Sequence, residues 1–559
     1  MTGYASKDKP WIKYYPDNWN TKKYVKRTVY EELISNNKDN KSVAIRFFGT
    51  KITFPQFIKN VNRTASAFAS IGIKKGDYVT ICSVMVPEVA YSFYGLAKIG
   101  AVCNFMSPYF DKDQMIDRIN ECNSKVLLVL DTIYTSIHET IEKMNMDKII
   151  VVPTLNASLL GIAKKKVKIQ ENDMYWNDFV KGANEDVNIA SYEENMACAL
   201  VYSSGSTGAS KAILLSHDSF QNSVHAYEQM GINVNGDQRF YQIIPPWYST
   251  GLSTSMHLPL SHGAEVLMDP RFERKIFVNN CIKFKPNSTV APTSMYEGFL
   301  NSTYVKNKKI QGLDNVFQGG ERLELGKKKS INDVWKSHGC ESELMVGYGQ
   351  CECGAGIASQ TIYTDNNKDS VGIPLPGVIV SIFDDDCNEL TYNTLGNIFV
   401  ATQCGMVEYY QNEQATNEYF YTDSDGIKWS RTGDVGCMDE DGNLYVKGRA
   451  VDYSVINGVR FYNFIVEQEI MKLSYIENCD VFCMSHNGKE KLSAHLVFSD
   501  NPDINTINSR IEEIVSKLQV VDPEMVPQIY KIWDVFPNAK SGKRDVDAMK
   551  HSVDGIITL

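Results

Sequence analysis

Long apolar runs are missing from this sequence of 559 residues. No stretch reaches about 18 consecutive apolar residues, the length that a membrane-spanning helix needs. The most apolar region, 79–106, is interrupted by Pro87, Glu88 and Lys98, so it predicts buried strands around a buried helix. The largely polar first residues predict no secretory signal peptide. We therefore expect a chain without a transmembrane segment.

Paired cysteine motifs are also missing. The 13 cysteines are scattered without a C-x-x-C, and the two nearest in sequence are Cys351 and Cys353. None of the 9 histidines has a cysteine partner at the spacing of a zinc site. The sequence therefore predicts reduced thiols, no structural metal and a cytoplasmic location.

The sequence lacks a surplus of basic residues. Lys and Arg number 57 against 67 Asp and Glu, which gives a formal net charge of -10. A surface of that sign repels phosphate backbones, which disfavours nucleic acid as the main partner. A small anionic ligand remains allowed, because a local loop and a metal ion can override the overall field.

Helical and extended patterns alternate over most of the chain, which predicts an α/β architecture. Apolar spacing predicts a helix over 56–71. Short apolar runs predict strands at 78–84, 101–105, 125–130 and 148–152. No G-x-G-x-x-G follows the first strand, so a dinucleotide-binding domain is not indicated.

The pattern changes near residue 447. Asp441-Gly442-Asn443 predicts a hairpin turn. After it, the sequence predicts helices over 464–473 and 507–518 and a final strand over 529–533. We place the boundary at 448–452. The prediction is a large N-terminal domain of α/β subdomains, residues 1–448, and a small C-terminal α+β domain, residues 449–559.

The most informative segment is a loop between two apolar strands, predicted at 197–202 and 212–215. It contains hydroxyl and glycine residues followed by Lys211, and these are Ser203, Ser204, Gly205, Ser206, Thr207 and Gly208. Glycines let backbone N–H groups converge on an anion, and hydroxyls and a lysine add donors and charge. The loop therefore predicts a polyphosphate site.

Other interpretations of this loop fit less well. A Walker loop needs G-K-[ST], but Ser210 precedes Lys211 and Ala212 follows it. The spacing around Ser206 does not match a nucleophile elbow. On composition alone, a surface turn between two strands remains an alternative.

The loop resembles that of the adenylate-forming superfamily, which comprises acyl-CoA synthetases, insect luciferases and the adenylation domains of peptide synthetases. Further segments resemble this family in the same order along nearly the whole chain. They are Lys98-Ile99-Gly100-Ala101-Val102, Gly319-Gly320-Glu321, Tyr348-Gly349-Gln350-Cys351-Glu352, 396–410 with Tyr409 and Tyr410, Thr432-Gly433-Asp434, Gly448-Arg449 and 537–543, which ends in Ser-Gly-Lys.

The resemblance implies that ATP activates a small-molecule carboxylic acid as an acyl-adenylate, with release of pyrophosphate. The acyl group then passes to a thiol, either of coenzyme A or of a separate carrier protein. The implied catalytic residues are Lys211, Glu352 and Lys543, with Glu352 also holding Mg2+. The implied nucleotide-binding residues are Ser203, Ser204, Gly205, Ser206, Thr207, Gly208, Gly319, Gly320, Glu321, Tyr348, Gly349, Gln350, Cys351, Asp434 and Arg449. The small domain is expected to be mobile, closing over ATP to deliver Lys543 and then rotating.

The acid is expected near Trp247, Tyr248 and Gly251. No acidic residue lies beside Pro246-Trp247 to pair with a substrate ammonium group, which disfavours an α-amino acid. The aromatic residues predict an aryl acid or a short-to-medium aliphatic acid.

Two departures from the family pattern leave an alternative open. Cys351 stands in place of the usual Thr, and a thiol is a weak donor toward the α-phosphate. Val451 stands at the hinge pivot, where the family has a charged residue. A catalytically impaired, nucleotide-binding relative is therefore one alternative. A serine hydrolase using Ser204 or Ser206 is another, although no set of His and Asp partners is evident.

Overall fold

The computed structural model describes residues 1–20, 24, 26–141, 143–158, 167–203, 210–232, 234–300, 302–456, 459–537 and 544–559. The chain forms two units. The first comprises Met1–Thr394, Phe399–Thr432 and Met438–Tyr445, and the second comprises Leu395–Ile398, Gly433–Cys437 and Val446–Leu559. Among the described residues, no helix has both the length and the apolar composition required to cross a bilayer.

An eight-stranded sheet in the first unit carries the predicted phosphate loop. In spatial order its strands are Glu408–Tyr409, Ala212–Ser216, Ala197–Tyr202, Val102–Phe105, Tyr78–Cys82, Val126–Leu130, Lys148–Val152 and Met174–Tyr175. The six strands from Ala197–Tyr202 to Met174–Tyr175 are parallel, and the other two pair antiparallel. Val126–Leu130 is buried along its whole length, as continuous apolar runs in parallel sheets usually are.

A nine-stranded sheet forms the other large part of the first unit. In spatial order its strands are Ile373–Pro374, Ala355–Ser359, Met345–Gln350, Asn315–Gln318, Ser288–Ala291, Arg239–Gln242, Glu265–Met268, Val43–Phe47 and Thr50–Thr53. The six strands from Met345–Gln350 to Val43–Phe47 are parallel. Side chains after the carboxyl ends of these strands therefore lie along one edge of the sheet, which is where open α/β sheets bind ligands.

Helices pack on these sheets. The helix Pro87–Ile99 begins with proline at its first position and ends at Gly100, which adopts a left-handed φ of 76°. Every residue of this helix is buried. The other α-helices of the first unit are Ala5–Asp8, Val29–Asn37, Phe54–Ser70, Lys112–Glu121, Asp131–Ser136, His138–Ile141, Trp176–Phe179, His217–Gln229, Ser249–Leu252, Leu258–Ser261, Arg274–Phe284, Thr293–Glu297, Leu325–Ser337 and Glu413–Tyr419. A π-helix spans Ser253–His257, and 3-10 turns span Pro10–Tyr14 and Cys351–Cys353.

A five-stranded sheet follows along the chain. Its strands are Val378–Phe383, Gly396–Thr402, Lys428–Met438 and Phe420–Thr422 in spatial order, with Leu444–Arg449 paired to Lys428–Met438. The turn predicted at Asp441-Gly442-Asn443 connects the strands Lys428–Met438 and Leu444–Arg449, so this prediction is confirmed.

The second unit has a four-stranded sheet of Ile476–His486, Lys489–Phe498, Ile529–Ile532 and Ile556–Thr558, and a two-stranded sheet of Tyr453–Ile456 and Val459–Tyr462. Its α-helices are Asn463–Met471, Ile504–Val521 and Val546–Lys550, with a 3-10 turn at Pro523–Met525. The structure therefore matches the predicted α/β class, with a smaller α+β part at the C-terminal end.

One sequence prediction needs correction. The strand at Ile529–Ile532 is not the final element, because the helix Val546–Lys550 and the strand Ile556–Thr558 follow it. Within the second unit, Ala450 N–H donates to the carbonyl of Gly433 over 2.8 Å. The domain bounds 1–448 and 449–559 stay a prediction.

Candidate active site

The two ends of the predicted phosphate loop are held together by hydrogen bonds. The backbone N–H of Lys211 donates to Ser203 Oγ over 2.9 Å, and Ser203 N–H donates to the carbonyl of Lys211 over 3.0 Å. Ser210 Oγ donates to the carbonyl of Ser203 over 2.6 Å. The predicted nucleotide-binding residues between these ends, Ser204, Gly205, Ser206, Thr207 and Gly208, lie outside the described residues.

Lys211 lies beside an aromatic ring. The strand Glu408–Tyr409 pairs antiparallel with Ala212–Ser216 and places Tyr409 opposite Ile213. The ammonium nitrogen of Lys211, whose side chain is exposed, lies 4.8 Å from the centroid of the Tyr409 ring. A cation at that distance from an aromatic face is attracted by the ring.

Glu352 reaches the same tyrosine from another part of the chain. It lies in the 3-10 turn Cys351–Cys353, which follows the strand Met345–Gln350. Tyr409 Oη donates a hydrogen bond to Glu352 Oε1 over 3.1 Å, and Met406 N–H donates to the carbonyl of Glu352 over 2.8 Å. Two of the three predicted catalytic residues, Lys211 and Glu352, therefore converge on Tyr409. The third, Lys543, lies outside the described residues.

Several of the predicted nucleotide-binding residues follow neighbouring parallel strands. Gly319, Gly320 and Glu321 follow Asn315–Gln318, which pairs in parallel with Met345–Gln350, the strand that contains Tyr348. A Cβ on Gly319 would lie 3.6 Å from the carbonyl oxygen of Gly347. The two segments therefore meet at one edge of the sheet.

Side chains and backbone fix both segments. Gln318 Nε2 donates to the carbonyl of Glu321 over 2.6 Å, and Glu321 Oε1 accepts from the N–H of Ser294 over 3.2 Å. Gln350 Nε2 donates to the carbonyl of Thr432 over 2.8 Å. At Gly349 any side chain is excluded, because a Cβ would lie 1.7 Å from the carbonyl oxygen of Ala355.

The predicted acid-binding residues form an aromatic cluster. The Trp247 ring packs edge-on against Tyr109 with centroids 6.0 Å apart, and it lies 6.2 Å from the Tyr248 ring. Burial raises the pKa of Tyr248, and the nearby Cys351 thiol raises it further. Tyr248 and Cys351, which begins the turn that carries Glu352, pack against the same hydrophobic core. Sequence analysis did not select Tyr109.

Asp434 and Arg449 belong to the second unit. Arg449 Nε lies 3.0 Å from Asp434 Oδ1. The Asp434 side chain is 8% exposed and that of Arg449 is 47% exposed. A buried carboxylate is therefore held by a guanidinium at the surface.

The family model described as "AMP-binding enzyme" matches residues 34–410. The chain belongs to this family. It is 22% identical over 562 residues to a long-chain-fatty-acid–CoA ligase of Bacillus subtilis (strain 168), with 96% of each protein covered. The resemblance to adenylate-forming enzymes predicted from the motifs is confirmed.

Two solved structures have a similar fold. ATP-bound MatB from Rhodopseudomonas palustris is similar with a TM-score of 0.79 at 18% identity, covering 94% of this chain and 98% of that one. The anthranilate CoA ligase AuaEII in complex with anthranoyl-AMP is similar with a TM-score of 0.78 at 18% identity, covering 94% and 96%.

The AMP-binding enzyme is therefore an AMP-forming acid–thiol ligase. It activates a carboxylic acid with ATP, releases pyrophosphate and transfers the acyl group to a thiol. This chemistry replaces the serine-hydrolase interpretation of Ser204 and Ser206.

The chemistry of the Glu352 carboxylate fits a magnesium ion. Within the part of the chain that is described, no group of three or more His, Cys, Asp or Glu side chains is arranged around a common point. Mg2+ keeps several waters and binds through one or two carboxylates plus substrate phosphates. A single partly exposed carboxylate, that of Glu352, meets that requirement.

Sequence analysis placed Tyr409 in a family-like segment but gave it no role. The sequence carries little indication of a role for Tyr409, because a tyrosine on a two-residue strand, Glu408–Tyr409, is common. Only the pairing of that strand next to Lys211 brings it into the site.

Proposed function

We propose that Lys211 and Glu352, together with Lys543, carry the adenylation step of this ligase. The observation that supports this proposal is the convergence of Lys211 and Glu352 on Tyr409. The Lys211 ammonium lies 4.8 Å from the Tyr409 ring centroid, and Glu352 Oε1 lies 3.1 Å from the Tyr409 hydroxyl. In this step a carboxylate oxygen of the acid attacks the α-phosphorus of ATP, and the bond from that phosphorus to pyrophosphate breaks. One anion approaches another, so cationic groups must offset the repulsion.

Each group has a distinct part in that step. The Lys211 ammonium, on the strand side of the phosphate loop, neutralises phosphate charge, and Glu352 holds Mg2+ through its carboxylate. When bound, Mg2+ supplies Lewis-acid stabilisation of the phosphate oxygens. Lys543, in the sequence of the second unit, acts on the same charge when that unit closes over ATP. Residues 1–448 then form the AMP-binding domain, and 449–559 form a mobile lid.

The nucleotide is proposed to lie along the edge where Gly319, Gly320 and Glu321 meet Tyr348. Tyr348 packs on the adenine, and the loop from Ser203 to Gly208 surrounds the phosphates. Asp434 accepts from the ribose hydroxyls. The Cys351 thiol takes the place of a hydroxyl donor toward the α-phosphate.

The proposed acid is an aryl acid or a short-to-medium aliphatic acid, bound against Trp247 and Tyr248. The edge-on packing of Tyr109 on Trp247 supports an aromatic wall. Gly251 lets the backbone approach the segment before this wall closely, because a Cβ there would lie 2.1 Å from the carbonyl oxygen of Pro245.

Coenzyme A is the proposed thiol acceptor, since the curated relative is named as a CoA ligase. A separate carrier protein is the other thiol to be tested. The 13 cysteines are scattered along the sequence without a C-x-x-C motif, which supports a reducing compartment such as the cytoplasm.

Mass spectrometry of acyl-AMP formed from a pooled acid library tests this function. We expect acyl-AMP from aryl or short aliphatic acids, dependent on ATP and Mg2+, and its conversion to an acyl thioester when coenzyme A is added. Pyrophosphate exchange only with α-amino acids would contradict the acid class. If acyl-AMP became a thioester only with a phosphopantetheinylated carrier protein, the proposal of coenzyme A as the acceptor would be contradicted.

A further inference from the structure

Tyr409 is held in a single orientation by its surroundings. Its side chain is buried, with 5% of the residue exposed. Its backbone N–H donates to Thr416 Oγ1 over 3.0 Å, and its ring packs edge-on against Tyr419 with centroids 5.6 Å apart. Pairing with Ile213 fixes the strand register. The ring and hydroxyl therefore occupy a defined place.

Two groups of opposite charge use different parts of this one side chain. The hydroxyl donates to Glu352 Oε1 over 3.1 Å, and the Lys211 ammonium lies 4.8 Å from the ring centroid. A hydrogen bond from a fixed hydroxyl to one carboxylate oxygen orients the carboxylate. The ring restrains the long, flexible stem of a lysine.

We propose that Tyr409 is a positioning residue for this ligase, orienting Glu352 toward Mg2+ and Lys211 toward the phosphates of ATP. This inference rests on the roles of Glu352 and Lys211 given under the proposed function. The hydroxyl and the ring of Tyr409 act on different groups, so substitutions can separate their contributions. Loss of the hydroxyl weakens the metal-dependent part of ATP binding. Loss of the ring weakens the part of ATP binding that does not depend on the metal.

Calorimetric titration of ATP into the full-length protein, with Mg2+ and then with EDTA, measures the two parts. Tyr409→Phe removes the hydroxyl and keeps the ring. We expect Mg2+ to increase the ATP affinity of this variant about ten-fold less than that of the wild type, the size typical of a hydrogen bond to a charged group. In EDTA its affinity stays within about two-fold of wild type. Tyr409→Leu, which also removes the ring, lowers the affinity in EDTA as well.

Tyr410→Phe is the matched control. Tyr410 follows on the same segment, but its ring packs against Tyr78 and its hydroxyl accepts from Gln411 Nε2. We expect its ATP affinity to equal that of the wild type in both buffers. The inference is overturned if Tyr409→Phe binds ATP as Tyr410→Phe does. It is also overturned if the two Tyr409 variants lose affinity equally with Mg2+ and with EDTA, as a purely structural role predicts.

Glu352→Gln separates this inference from the proposed function. If Glu352 holds the metal, this variant loses the increase in affinity caused by Mg2+, and adding Tyr409→Phe causes no further loss. If Glu352→Gln keeps that increase, the proposed metal role of Glu352 fails. If Glu352→Gln loses the increase while Tyr409→Phe keeps it, only the positioning role of Tyr409 fails.

Discussion

Arg449 Nε lies 3.0 Å from Oδ1 of the buried Asp434 side chain. Asp434 is the carboxylate that we assign to the ribose, and Arg449 is part of the predicted hinge. The arginine thus orients the carboxylate and offsets the cost of burying it. The proposed ribose acceptor and the predicted hinge segment therefore share one ion pair.

Asp434→Asn is expected to weaken ATP binding about ten-fold or more, because a charged acceptor for ribose hydroxyls is replaced by a neutral one. The loss should be smaller for 2′-deoxyATP, which has one hydroxyl fewer. Titration of both nucleotides measures the ratio of affinities. Glu352→Gln is the control, since it leaves the ribose contact unchanged and should keep the wild-type ratio.

Lys543→Ala is expected to lower the rate of acyl-AMP formation by about 100-fold or more while ATP binding stays nearly intact, since the lysine acts on the transition state. Single-turnover formation of acyl-AMP and equilibrium ATP binding measure the two effects. Lys550→Ala, in the helix Val546–Lys550 of the same unit, should match the wild type in both. Normal adenylation by the Lys543 variant would contradict the proposed mechanism.

Cys351→Thr is expected to improve the KM for ATP about five-fold, because a hydroxyl is a stronger donor to phosphate than a thiol. Cys351→Val has the shape of threonine without its hydroxyl and should give no improvement. Steady-state pyrophosphate release at varied ATP compares the three proteins. Equal KM values for the Thr and Val variants would mean that position 351 does not contact the phosphates.

Gly251→Ala is expected to lower the melting temperature and the rate of adenylation together. Its Cβ would lie 2.1 Å from the Pro245 carbonyl oxygen, and relieving such an overlap typically costs about 1–3 kcal/mol. Gly326→Ala is the control, because nothing lies within 4 Å of a Cβ there and alanine favours a helix. Thermal melts followed by circular dichroism should show a loss for the first variant and no loss for the second.

Glu88 predicts a pH dependence of stability. Burial raises the pKa of Glu88 from its ordinary value of 4.5 to about 7. The folded protein therefore retains a proton that the unfolded chain releases, and the stability from this group is lost as pH rises from about 4.5 to 7. Glu88→Gln should remove that loss, worth roughly 3 kcal/mol. Melting temperatures of both proteins between pH 4.5 and 8 measure the difference, which should widen in favour of Glu88→Gln as pH rises.

Local pattern was sufficient for much of the fold. The apolar runs at Lys148–Val152 and Ala197–Tyr202 predicted those strands at their observed bounds, because a strand buried on both faces requires a continuous apolar run. The helix Phe54–Ser70 was predicted within two residues of its observed limits. The strand Ile556–Thr558 was missed, since three residues beside a chain terminus carry too little periodicity.

The sequence by itself determined the family and the chemistry, because the order of short motifs around Lys211, Glu352 and Asp434 requires no knowledge of distance. It also determined which residue types could neutralise phosphate. Only the tertiary structure decided that Tyr409 lies between Lys211 and Glu352, and that Tyr109 packs on Trp247. These contacts join residues far apart in the chain through strand pairing and ring packing, and such partners leave no local signal in a single sequence.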